Sequence, residues 1–164
     1  METVGPDAVV PPRATVRGSL RARAAGRRPR VRLGADVRIG RDVVLRAAPG
    51  ARIAVGAGVA LGDGARLEVA AGTLRVGDGT VIGARASLAG AVTIGRECVI
   101  GDWARAEGDA ELGDRSRLAA HAVALEGTRI GAGAVVASYA VVDGPVAPRT
   151  VARARQTRAP RSSS

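Results

Sequence analysis

An all-β chain wound as a parallel β-helix is predicted by three observations: a six-residue hydrophobic period, glycine spread along the whole length, and almost no aromatic side chain. The 164 residues include one Trp, one Tyr and no Phe. A core that leans on aromatic bulk is therefore excluded, and the interior must be built from Val, Ile, Leu and Ala. Twenty-three glycines against eight prolines place a turn at short, regular intervals instead of in a few long loops. The length fits one domain.

The period is explicit from Val76 onward, where the chain divides without an insertion into VGDGTV, IGARAS, LAGAVT, IGRECV, IGDWAR, AEGDAE, LGDRSR, LAAHAV, ALEGTR, IGAGAV, VASYAV and VDGPVA. The first position is aliphatic throughout except at Ala106 and Ala124, and the fifth is always small or β-branched, from Thr80 through Cys98 and Ser116 to Val146. An amphipathic helix would repeat its apolar positions every 3.6 residues. A period of six suits a short strand whose fifth and following first residues point inward, with the sixth pointing outward between them. Glycine, usual at the second position, is expected to supply the positive φ that bends the chain toward the next face. Hexapeptide repeats of this kind are a β-helix signature.

Upstream, LGADVR and IGRDVV at 33–44 and VGAGVA and LGDGAR at 55–66 keep the pattern. Four extra residues around LRAA (45–48) and three around LEV (67–69) shift the frame and are expected as loops or bulges at corners. The resulting division is a basic, Pro/Arg-rich N-terminal extension over 1–32, the β-helix domain over 33–148, and a basic C-terminal tail over 149–164. Both ends are expected to be disordered or loosely attached, and SLRARAAGRRPR is compatible with a short helix or with no regular structure.

The net charge of +10 is segregated: residues 1–32 carry +6, the middle −1, and residues 149–164 carry +5. Basicity thus belongs to the ends. No aromatic residues interleave with the arginines, so there is no base-stacking platform and no specific nucleic-acid partner is expected. No apolar run reaches the length of a membrane span, and the first residues lack a signal-peptide pattern. The single cysteine, Cys98, is read as a small inward-facing hydrophobe. With one Cys and one His there is no metal-ligand spacing, and the chain reads as cytoplasmic.

Tandem hexads that open with an aliphatic residue and glycine and carry a small fifth residue, as in IGRECV and IGAGAV, resemble the hexapeptide-repeat acyltransferase superfamily over about residues 33–148. The resemblance implies a left-handed parallel β-helix, a triangular prism in which three hexads close one coil. It further implies a homotrimer, acyl-CoA (acetyl-CoA) as co-substrate in grooves between prisms, with no cofactor held permanently, and a histidine that takes the proton from a small hydroxylated or amino-bearing acceptor such as a sugar. The tail VAPRTVARARQTRAP follows the family's ending as far as Thr150 and Val151 and then departs from it.

With three hexads per coil, residues eighteen apart lie above one another. Trp103, His121 and Tyr139 obey that spacing, all are fourth in their hexads, and Arg85 belongs to the same outward-facing column. The column has two readings. One is a stack held by cation–π and aromatic contact, each layer worth about 0.5–1.5 kcal/mol. The other makes His121 the general base of acyl transfer, since imidazole titrates near neutrality and the acceptor must lose a proton as it attacks the thioester. In that reading Glu126, with Asp102 and Glu107 as the other candidates, orients the ring. Trp103, Tyr139 and Asp102 wall the substrate, and Arg149 and Arg153, together with Arg155, meet the CoA phosphates. The same ruler stacks Asp78, Arg96 and Asp114, sets Glu97 under Arg115, and sets Glu111 under Arg129. The alternative class of function is a non-catalytic scaffold or oligomerisation module. An inserted His-containing loop, common in the family, is missing after WARAEGD.

Overall fold

The computed structural model describes residues 31–154 and, upstream, the backbone of three short strands, Ala8–Val9, Thr15–Val16 and Leu20–Arg23. All regular structure in these residues is β, arranged as three parallel sheets of seven, eight and seven strands. Sheet A runs from Ala8–Val9 through Val31–Leu33, Arg52–Val55, Thr73–Val76, Thr93–Ile94 and Glu111–Leu112 to Arg129–Ile130. Sheet B includes Val81–Ile82, Val99–Ile100, Arg117–Leu118 and Val135–Val136 and ends on Val151–Ala152. Sheet C includes Val43–Ala47, Arg66–Val69, Ser87–Ala89, Arg105–Glu107, Val123–Ala124 and Val141–Val142. The chain visits A, B and C in turn, so each circuit adds one strand to each wall of a prism about 30 Å long at the usual strand spacing. No helix among these residues is long and apolar enough to cross a membrane.

The inward positions are those the period selects. Ile82, Leu88, Ile100 and Leu118 at first positions, and Ala86, Cys98, Ala104 and Ala122 at fifth positions, are fully buried. Close packing of these small side chains replaces the bulk that aromatics would supply. The polar fifth-position residues beneath the A–B edge bond to each other and to the corners. Thr80 Oγ1 donates to the Gly95 carbonyl at 2.9 Å, the Cys98 amide donates to Thr80 Oγ1 at 3.2 Å, and Cys98 Sγ donates to the Gly113 carbonyl at 3.1 Å.

The corners correct one expectation. Positive φ falls at the fourth position of most hexads, as at Gly79 (69°), Glu97 (53°) and Arg115 (58°), and at the third in Gly90 (104°) and Gly108 (62°), but not at the second. The second-position glycines answer a different constraint, the close approach of the next coil. A Cβ at Gly101 would lie 2.5 Å from the amide nitrogen of Ala120, well inside van der Waals contact. Glycine there makes room for stacking, while the bend is made two residues later.

The frame shifts also resolve differently from loops or bulges. Val44, Leu45, Arg46 and Ala47 pair residue for residue with Arg66, Leu67, Glu68 and Val69, and Arg52–Val55 pair likewise with Thr73–Val76. The added residues lengthen the strands flanking the C–A corner without interrupting a ladder. The winding is accordingly wider toward the N-terminus: Ala8 pairs with Val31, a step of 23, Leu33 with Val55, a step of 22, Val55 with Val76, a step of 21, and Val76 with Ile94, a step of 18. Within SLRARAAGRRPR, Leu20–Arg23 is a strand, paired in parallel with Val43–Arg46. The remainder of 1–30 and residues 155–164 lie outside the described residues.

Of the stacked charges, Arg115 and Glu97 form an ion pair at 3.2 Å and Arg129 and Glu111 approach to 3.9 Å. The aspartates turn to the backbone instead. Asp78 Oδ1 accepts the Ala57 amide at 2.9 Å and Asp114 Oδ1 the Arg96 amide at 2.8 Å.

Candidate functional site

Each ring in the column is positioned by the corner between sheets B and C. Arg85, Trp103, His121 and Tyr139 have φ of 56°, 62°, 59° and 65°, a left-handed conformation that costs an L-residue about 1–2 kcal/mol. Each of the three ring residues is tied back to the coil before it. The amide of Trp103 donates to the Ala84 carbonyl at 3.0 Å, that of His121 to Asp102 at 3.0 Å, and that of Tyr139 to Ala120 at 3.2 Å. With the same backbone repeated one strand spacing apart, the side chains leave the prism in parallel.

The Trp103 and His121 rings are 4° from parallel with centroids 6.1 Å apart, and His121 and Tyr139 are 3° from parallel at 4.8 Å. The Arg85 guanidinium lies 5.3 Å over the Trp103 ring. Each contact returns about 0.5–1.5 kcal/mol, the same size as the backbone strain at each rung. Trp103 is 51% exposed and Tyr139 69%, and His121 is exposed between them. The imidazole is thus fixed in plane and open to solvent along its edge.

The carboxylates fall in different places. Asp102 shares the ring edge, but its Oδ1 accepts the Ala84 amide at 2.8 Å, so part of its capacity is spent on the corner below. Glu107 ends a sheet C strand and pairs with Arg105 at 3.0 Å. Glu126 stands on the C–A edge, across the strand Val123–Ala124 from His121, with its side chain lying over Gly108. Among the described residues His121 forms no ion pair, and no group of three or more His, Cys, Asp and Glu side chains could hold a metal ion.

The two arginines are also apart. Arg149 has φ of 57° at the A–B corner and packs over Gly133, its Cγ 3.2 Å from where a Cβ would be. It borders a shallow groove with Arg96, Arg115, Asp78 and Asp114. Arg153 directly follows Val151–Ala152, where sheet B gives way to the ring edge. Arg155 lies outside the described residues. The half-buried amide of Ala120, immediately before His121, has no protein acceptor among the described residues. An unpaired backbone donor has no residue signature, and only the recurrence of Asp at the third hexad position, replaced by Ser138 one coil above Ala120, hints at it.

A family model described as bacterial transferase hexapeptide (six repeats) matches residues 74–108. Three sheets, parallel ladders and that match decide the architecture. The chain is a hexapeptide-repeat, left-handed β-helix. Solved structures share the fold. A UDP-N-acetylglucosamine acyltransferase of Francisella novicida is 17% identical with a TM-score of 0.63, over 94% of this chain and 67% of that one. A polysialic acid O-acetyltransferase is 13% identical with a TM-score of 0.69, over 95% and 90%. A perosamine N-acetyltransferase of Caulobacter crescentus, in complex with CoA and GDP-perosamine, is 23% identical with a TM-score of 0.52, over 89% of this chain, which spans 52% of its length. No curated protein sequence matches the chain.

Proposed function

We propose that this hexapeptide-repeat chain is an acyltransferase that moves an acyl group from acyl-CoA, acetyl-CoA being the simplest, to the hydroxyl or amine of a small acceptor such as a sugar, with His121 as general base. One observation carries the reading: the only imidazole of the chain stands exposed on a prism edge, its plane held between Trp103 and Tyr139. Support comes from the neighbours of the fold, which include O- and N-acetyltransferases, one of them in complex with CoA. His121 takes the proton of the acceptor as its oxygen or nitrogen attacks the thioester carbonyl. The carbon–sulfur bond then breaks, and the leaving CoA thiolate takes that proton back from the imidazolium.

The arrangement favours a homotrimer. Arg149 and Arg153 stand at different places on one prism, as do His121 and Glu126, so a groove between two prisms is what unites them. There the arginines meet the CoA phosphates, and Glu126 of one copy orients His121 of the next. Trp103, Tyr139 and Asp102 bound the acceptor. A lone buried thiol and acyl-CoA chemistry both suit the cytoplasm.

The test is ligand-linked stability. Acetyl-CoA at a hundred times its dissociation constant raises stability by about 2.7 kcal/mol, read as a shift in Tm. An unchanged Tm at saturating acetyl-CoA, together with no transfer to sugar or amine acceptors, removes the reading.

The stack itself favours a second one, a non-catalytic scaffold. His121 is covered on both faces and forms no ion pair with a carboxylate among the described residues. In that case replacing His121 changes stability alone.

A further inference from the structure

The third-position amides at two of the three edges follow a rule. On the ring edge, Arg41 donates to Asp63 Oδ1 and Ala84 to Asp102 Oδ1, both at 2.8 Å. On the A–B edge, Ala57 donates to Asp78 Oδ1 at 2.9 Å and Arg96 to Asp114 Oδ1 at 2.8 Å. Every second amide is closed by an aspartate one coil further on. The next two in these series are Ala120 and Ala132. Over Ala132 comes Pro148, whose ring packs on Gly131. Over Ala120 comes exposed Ser138, which makes no bond to it.

We propose that the Ala120 corner is a carboxylate site, and that the acceptor is therefore an acidic sugar or similar carboxylate-bearing small molecule. The word acceptor rests on the acyltransferase reading, while the carboxylate site does not. Four times the fold sets a carboxylate oxygen 2.8–2.9 Å from the equivalent amide. The backbone after Ala120 repeats the one after Ala84, with φ of 59° at His121 and 56° at Arg85. The Ala120 N–H therefore points where an aspartate oxygen would sit, and the short Ser138 side chain leaves that place to a ligand. Ser138 adds a hydroxyl donor, and exposed Tyr139 adds an apolar surface for a sugar ring. A carboxylate bound there lies next to His121, so a neighbouring hydroxyl of the same ligand is delivered to the base. A neutral sugar lacks the charge-assisted bond.

The experiment follows the amide signals of the full-length, nitrogen-15-labelled protein by NMR as sodium glucuronate is added, with glucose as the neutral control. The expected result is a saturable shift of the Ala120 signal with glucuronate and none with glucose. Ser138→Asp supplies an internal carboxylate, as Asp102 does for Ala84, and weakens glucuronate binding at least about tenfold. An Ala120 signal unmoved by glucuronate, an equal shift with glucose, or undiminished binding to a folded Ser138→Asp protein overturns the proposal. Glucuronate binding without any acyl transfer keeps this site and removes the acyltransferase reading. Transfer to neutral sugars with Ala120 unmoved does the reverse.

Discussion

The imidazole of His121 lies 4.8 Å from the phenol ring of Tyr139 and within 3° of parallel to it, a separation equal to the distance between neighbouring strands. The winding of the backbone therefore sets the attitude of the ring, and the stack and the proposed base are separable by mutation. His121→Phe keeps a flat layer between Trp103 and Tyr139 and removes the base. Its Tm is expected to stay near that of the wild type while transfer falls about 10²–10⁴-fold. His121→Ala loses both. Tm and steady-state rates on the two variants check this, and equal rates for His121→Phe and wild type would remove His121 from the chemistry.

At Trp103 the left-handed backbone inverts an ordinary preference. Glycine adopts φ of 62° freely, whereas alanine there is strained. Trp103→Gly is expected to be more stable than Trp103→Ala by about 0.5–1 kcal/mol, read from urea unfolding midpoints. The reverse order would show that the corner relaxes once the indole is gone.

The two glycine classes differ in the same assay. Gly101→Ala drives a methyl into the backbone of the next coil and is expected to cost about 1–3 kcal/mol or more. Gly79→Ala meets nothing closer than Glu97 Cγ at 3.5 Å, so it carries only the conformational cost of about 1 kcal/mol.

Charges on the same edge also separate. Glu97 and Arg115 keep 67% and 78% of their side-chain surface in water, and Glu97→Gln is expected to change stability by less than about 0.5 kcal/mol. Asp114→Ala frees the Arg96 amide and is expected to cost about 1 kcal/mol. Chemical denaturation of both variants, at low and high salt, ranks them.

Much of this was legible in the residues. Burial of Ile82, Leu88 and Ile100 and the column of Trp103, His121 and Tyr139 follow from a six-residue period and a coil of three repeats. The location of positive φ was not legible, because glycine occurs at both positions for different reasons: Gly101 for clearance and Gly79 for conformation. The strands at Ala8, Thr15 and Leu20 were hidden because a 23-residue step does not keep a six-residue frame. In the site, the periodicity identifies which residues stack but not which carboxylate approaches the imidazole. Asp102 is drawn to the Ala84 amide and Glu126 to another edge, both decided by the corners and not by spacing along the chain.

The shrinking step from 23 residues at Ala8–Val31 to 18 at Val76–Ile94 and 16 at Val135–Val151 gives the two mouths of the tube unequal girth. A second molecule placed nose to tail would match strands on one wall and miss them on the others. Open-ended polymerisation is thus frustrated by the shape of the described coils themselves.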